Sequence, residues 1–417
     1  MKYFLLFLFF SMNLFAADGQ LNQADTLWVI LSTILVLVMT PALSIFYGGM
    51  ARSKNILSTM SYSFVSMTVV GVIWFLIGHT IAFGPNGSSL IGSMKYLFIN
   101  KSFMSDLHGT IPESVFAFFQ GMFAVITVAL FSGSIVERMK FSAYVIVITF
   151  WVIFIYAPLA HFVWGDNGFL ASLGVLDFAG GLVVHLSSAV AALVLIKMVG
   201  NRRGFPVQKH LPHNLVITGI GTGLLWFGWF GFNAGSALAI NDVAFYALIN
   251  TFIAGAAGGV VWMILEMKVA KPSFLGICSG IIAGLASVTN AAGYVTPVVA
   301  LLIGCMGGFL CFYAITLKYR FNYDDSLDVI GVHGVGGLIG ATMTGLFASI
   351  NSQGLFFGNP KQFLIQLAGI AVTLVFAGVG TIIIAKLADL VVGLRVEELE
   401  EIEGLDLSQH GESGYNM

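Results

Sequence analysis

Two histidines raise the first chemical question. His185 closes the stretch DFAGGLVVH (177–185), and His333 sits in VIGVHGVGGLIG (329–340), both inside apolar, glycine-rich runs. An ionisable side chain in a membrane segment is expensive and is a functional-site candidate by default. A single buried histidine bonded to a backbone carbonyl would be ordinary. Two at matched depth suggest more. Neutral imidazoles can share one hydrogen, one ring donating and the other accepting, which fixes both tautomers and leaves an outer ring nitrogen on each for a small polar solute. No third ligand is found at that depth, so a metal-dependent membrane enzyme is disfavoured and no cofactor is expected. Of the other histidines, His108, His210, His213 and His410 fall in loops or the tail, and His79 and His161 near segment ends.

The elements that hold this pair are set by composition. The 417 residues are 58% hydrophobic and 9% charged, against about 25% charged in a soluble domain. Apolar runs of about 20 residues recur, each long enough to cross a bilayer as a helix. The expected fold class is an all-α polytopic membrane protein forming one bundle in contact with lipid. A net charge of −2 gives no case for nucleic-acid binding. Cys278, Cys305 and Cys311 all lie in apolar stretches and read as packing residues.

The N-terminal MKYFLLFLFFSMNLFAADGQ has one lysine, an apolar core and small residues at Ala16 and Ala17, the pattern of a cleavable secretory signal over 1–17. Cleavage there leaves the mature N-terminus outside. Eleven apolar segments follow, at 27–47, 60–83, 113–135, 142–163, 178–199, 213–233, 244–267, 274–293, 295–316, 327–349 and 363–393. Alternating from an outside N-terminus, the inner loops and tail hold thirteen lysines and arginines, while the outer loops hold three, Lys95, Lys101 and Lys361. That asymmetry fits the positive-inside tendency.

Ten segments divide into two sets of five, and an odd number per set inverts the second half, the logic of many transporters. DFAGGLVVH opens the fifth segment and DVIGVH (328–333) the tenth, a faint internal echo. The fifth runs inward and the tenth outward, so His185 and His333 each lie roughly 10 Å in, from opposite edges. A pseudo-twofold axis would bring them together. Glycine spacings such as Gly255/Gly259 and Gly336/Gly340 allow close helix approach.

PALSIFYGGMARSKN (41–55), AFFQGMFAVITVAL (117–130), GSIVERMKF (133–141), HFVWGDNGFL (161–170), GVLDFAGGLVVH (174–185), WFGFNAGSA (229–237), CSGIIAGLASVT (278–289) and DVIGVHGVGG (328–337) together resemble the ammonium transporter (Amt) family, relatives of the Rhesus proteins. The resemblance runs over essentially the whole mature chain. It implies eleven spans over 18–395, a cytoplasmic tail over 396–417, a homotrimer with one pore per subunit, and residence in the cell inner (plasma) membrane. It also implies an outer ammonium-recruiting site at Phe123, Trp164 and Ser236, a stacked gate at Phe123 and Phe232, paired pore histidines at His185 and His333, and a structural aspartate at Asp177. Read by themselves, Trp164 could be an interfacial anchor, the phenylalanines ordinary packing, and Asp177 a helix N-cap. One departure from the family is Asn290, in SVTNAAGY (287–294), where proline is common; this leaves the local helix break and the role of Thr289 open.

The expected transport chemistry follows from charge. Aromatic faces attract ammonium by roughly 0.5–2 kcal/mol each, whereas an unpaired cation in a dry pore costs on the order of tens of kcal/mol. The ion must therefore lose a proton, pass as ammonia and regain one inside. Potassium has no proton to lose. The tail EELEEIEGLDLSQHGESGY, on composition alone, reads as a disordered solvating segment. The resemblance implies instead that it packs under the bundle and contacts a PII-type regulatory protein. An ammonium sensor and a Rhesus-type gas channel are the competing functional readings.

Overall fold

The computed structural model describes residues 20–208 and 210–415; the expected signal over 1–17 lies outside them. Among the described residues, ten helices are long and apolar enough to cross a membrane, and an eleventh apolar helix is shorter. We number the eleven as α1 (Gln23–Met50), α2 (56–83), α3 (Glu113–Ser132), α4 (141–164), α5 (Gly181–Val199), α6 (Leu215–Ala234), α7 (Asp242–Val269), α8 (Phe274–Val288), α9 (Pro297–Ala314), α10 (Ile330–Phe347) and α11 (Pro360–Val392). The 15-residue α8 runs only about 22 Å at 1.5 Å per residue. Turns at 289–294 take the chain on to α9. The helix break that Asn290 left open is therefore present without a proline.

Local sequence fixes several helix starts. Asn22, Asn214, Asn241 and Ser273 each accept backbone N–H groups in the first turn of α1, α6, α7 and α8, which would otherwise lack partners. Among the described residues, a short hairpin interrupts the helical chain between α2 and α3, in which β1 (Leu107–His108) pairs antiparallel with β2 (Ile111–Pro112).

α1 packs along α6, α7 against α8 and α9, and α5 against α10 and α11. Both α5 and α10 begin with a π-helical stretch, Gly181–Leu186 and Ile330–Gly334. Such local widening is frequent at functional sites. The two helices meet through glycine: a Cβ on Gly337 would lie 2.6 Å from the Gly181 carbonyl oxygen.

The sequence echo sets Asp177 against Asp328, but the structure sets it against Asp325. Asp177 lies eight residues before His185, and its carboxylate accepts from the N–H groups of Gly180, Gly181, Leu182 and Val183 at 2.6–3.0 Å. Its counterpart is Asp325, eight residues before His333, which accepts from Val329 (3.0 Å) and Ile330 (2.7 Å). Asp328 instead pairs with Lys318 at 2.6 Å.

After α11 the chain folds back as α12 (Glu398–Glu403) and α13 (Leu405–His410). Asn55 Oδ1 accepts the Leu405 N–H at 2.7 Å, and Asp406 Oδ1 accepts the Ser58 N–H at 2.8 Å. Lys54 Nζ donates to the carbonyls of Glu401 and Ile402. Specific polar capture of this kind outweighs the disordered tendency of an acidic composition. Beside the tail, Glu137 pairs with Arg52 at 2.8 Å and Arg202 at 3.3 Å, and Asp324 pairs with Arg202 at 2.8 Å. We call this the tail face.

Candidate functional site

His185 and His333 are both buried. Their Nδ1 atoms lie 3.2 Å apart, with ring planes 18° from parallel. One Nδ1 must donate and the other accept, so neither ring needs a charge. His185 Nε2 has no hydrogen-bond partner among the described residues. Both rings line a cavity of about 20 Å³ whose other walls include Leu43, Ile126, Leu225 and Trp229. That is room for about one water-sized molecule. The Nδ1–Nδ1 contact suits the shared hydrogen expected from sequence, and on His185 the outer Nε2 is left without a partner among the described residues.

Phe123 and Phe232 stack at 4.1 Å between ring centroids, 16° from parallel. Phe232 borders the histidine cavity, whereas Phe123 borders a second cavity of about 170 Å³ on the side away from the tail face. The stack therefore divides the two. Trp164 and Ser236 line the larger cavity with Phe123. Trp164 stands perpendicular to Phe123 at 6.3 Å and donates its indole N–H to the Asp177 carbonyl oxygen at 2.7 Å. Ser236 donates to the Phe232 carbonyl oxygen at 2.8 Å, so its lone pairs remain available to a donor in the cavity. Asp177 is turned away from this space: its oxygens are occupied by four backbone N–H groups, the cap role read from sequence.

Several residues here were not singled out by sequence reasoning. The Trp229 ring lies 5.6 Å from the His185 ring and 20° from parallel, and its indole N–H donates to Thr289 Oγ1 at 2.9 Å. Its position three residues before Phe232, one helical turn on the same face, was the available signal. Thr289 thus has a definite role, since it also donates to the Leu285 carbonyl at 2.8 Å and cannot easily turn away. Asn290 donates to the Leu176 carbonyl at 2.8 Å and to Thr344 Oγ1 at 2.9 Å. Asp325 was legible as the second member of an aspartate–histidine spacing of eight. Gln120, Phe116 and His108 also line the larger cavity, and nothing in the local sequence near His108 pointed there.

The model for the Ammonium Transporter Family matches residues 27–415. The ammonium transporter of Bacillus subtilis is 46% identical over 404 residues, covering 95% of this chain and 99% of that one. The ammonium transporter of Aquifex aeolicus is 43% identical over 415 residues, covering 98% and 97%. The chain belongs to the ammonium transporter family. The crystal structure of Candida albicans Mep2 matches this ammonium transporter with a TM-score of 0.86 at 35% identity, covering 95% of this chain and 91% of that one. A structure described as a Sensor Amt Protein matches with a TM-score of 0.87 at 30% identity, covering 93% and 98%. This family is one of non-enzymatic transporters, so the metal-dependent enzyme reading falls. The paired histidines in an apolar cavity are consistent with the family's pore.

Proposed function

We propose that the protein captures ammonium in the larger cavity, at Phe123, Trp164 and Ser236, and releases a proton from it there. Ammonia then passes the Phe123–Phe232 stack, moves along His185 and His333, and is protonated again on the tail side. The observation that carries this reading is the contact between the two Nδ1 atoms at 3.2 Å inside a cavity of otherwise oily walls. A neutral, hydrogen-bonding track suits ammonia. A cation there would have no counter-charge, and burying it would cost many kcal/mol. In the larger cavity, aromatic faces and a hydroxyl acceptor suit the four N–H donors of ammonium.

On this reading the larger cavity is outer, the tail face is cytoplasmic, and the membrane is the cell's inner membrane, in keeping with the concentration of basic residues on the tail side. We carry over from the family a homotrimer with one pore per subunit and a PII-type protein binding the tail face. A pull-down lacking PII under every nucleotide condition removes that partner.

The deciding experiment is current measurement on purified protein in a supported bilayer during an ammonium pulse, with potassium as control. Ammonium-evoked current or vesicle alkalinisation with no potassium response supports the reading; equal responses to both ions overturn it. The likeness to the Sensor Amt Protein keeps a sensing role as the second reading. Saturable ammonium binding with neither current nor uptake would favour it.

A further inference from the structure

Behind the wall of the larger cavity is a carboxylate held between two imidazoles. Glu113 opens α3 and is buried. Its Oε1 lies 2.7 Å from His79 Nε2, and its Oε2 lies 3.5 Å from His108 Nδ1. An ionised carboxylate only accepts, so His79 Nε2 carries the hydrogen in the shorter contact. His79 Nδ1 has no partner among the described residues, which leaves that ring neutral. His108 differs. It sits on β1, its ring lies flat on Phe116 at 3.6 Å and 3°, and a third of its side chain is exposed. It lines the same cavity as Phe123, Trp164 and Ser236. The 3.5 Å separation is long for a direct hydrogen bond; such contacts often tighten once substrate is bound.

We propose that His108, with Glu113 behind it as counter-charge, is the group that takes the proton from ammonium in this cavity. The inference rests on the proposed capture of ammonium there. With Nδ1–H directed at Glu113, Nε2 presents a lone pair. One N–H bond of ammonium breaks, its electron pair stays on nitrogen as the lone pair of ammonia, and the proton bonds to His108 Nε2. The resulting imidazolium faces the Glu113 carboxylate, so positive charge is matched at the cavity wall rather than carried past the phenylalanine stack. Water in the open cavity then removes the proton and restores the neutral ring. His185 and His333 are poorer acceptors, because no carboxylate lines their cavity. Glu113 and His79 act through His108 and are positioning residues.

The charged surroundings are compatible with this role. Tyr96, 5.7 Å from the His79 ring, donates to Asp106 at 3.2 Å, and Asp106 is matched by Lys95 at 2.6 Å. Asp25, on α1, is occupied by Thr110 of the hairpin and by the Ile240 N–H. His161 and Asp166 share a smaller cavity with His108; both His161 ring nitrogens face the carbonyl oxygens of Ala82 and Ser88 at 2.8 Å. Glu113, at 3.5 Å, is thus the carboxylate paired with His108.

His108→Phe keeps the stack on Phe116 and removes the base. Proteoliposomes on a supported membrane should be pulsed with ammonium across roughly pH 5–8, the range in which histidine titrates. The expected result is at least a roughly tenfold fall in maximal transport near neutral pH and a flattened pH profile. Glu113→Gln, scored only if the purified protein stays monodisperse, should move the acid limb of the profile to lower pH. An unchanged maximum and an unchanged pH profile in His108→Phe overturn the proposal. Trp164→Leu run in parallel separates the two readings. A capture defect there with normal His108→Phe sinks the proton acceptor alone. Normal capture there with a defective His108→Phe removes Trp164 from the recruitment site and retains His108 as the acceptor in the same cavity.

Discussion

Thr289 holds the indole N–H of Trp229 at 2.9 Å, and this fixes the ring that lies parallel to His185. His185 is therefore oriented from two sides, by the Trp229 face and by the His333 ring. Replacing His185 with alanine removes both contacts and enlarges an apolar cavity. The expected outcome is a fall in ammonium flux of about tenfold or more, equivalent to at least about 1.4 kcal/mol on the barrier, with the assembled protein intact by size-exclusion chromatography. Unchanged uptake in reconstituted vesicles would remove His185 from the path.

Trp164 stands on the cavity side of the Phe123–Phe232 stack. Its loss should affect capture of dilute substrate rather than later steps. Trp164→Leu removes a cation–π face of roughly 0.5–2 kcal/mol, so the half-saturating ammonium concentration should rise by about 2- to 30-fold while maximal flux changes less. A flux curve scaled down equally at all concentrations would argue against recruitment at this residue.

Much of this arrangement was legible in the sequence because lipid imposes strong constraints. Apolar run length marked the spans, and an imidazole in such a run is too costly to be incidental. Other parts depend on long-range contacts with no local signature. Asp328 stands nearer His333 in sequence and looked like the repeat partner of Asp177, but Lys318 captures it; only the backbone N–H groups at Val329 and Ile330 reveal Asp325 as the counterpart. His108 reads as an ordinary loop residue until the hairpin lays it on Phe116. The tail reads as solvated until Asn55 and Ser58, some 350 residues earlier, supply its partners.

Asn290 makes two hydrogen bonds where the family resemblance leads one to expect proline. Its amide ties the turn after α8 to Leu176, next to Asp177, and to Thr344 on α10. Asn290→Ala should therefore destabilise the protein by about 1–3 kcal/mol, the usual range when a buried polar partner is lost. The Leu176 carbonyl keeps a second donor, Gln366 Nε2 at 2.7 Å, which favours the lower end. A thermal melt in detergent checks this. A melting temperature equal to that of the unsubstituted protein would mean the two bonds contribute nothing.

Acid should loosen the tail face through Asp324. Burial alone would raise the pKa of this carboxyl, but hydrogen bonds from Arg202 and the charges of Arg138 and Arg202 outweigh it and bring it down to about 2. A folded-state value below the ordinary one of 3.8 means that the group stabilises the fold fully above about pH 4. That stability is lost as pH falls through about 2. The contribution is on the order of 2 kcal/mol. Asp324→Asn should lower the melting temperature at neutral pH, leaving Arg202 with the longer Glu137 contact at 3.3 Å alone, and should flatten the decline in stability between about pH 4 and pH 2. Melting curves of both proteins across that window decide it: parallel declines would place the acid-sensitive group elsewhere.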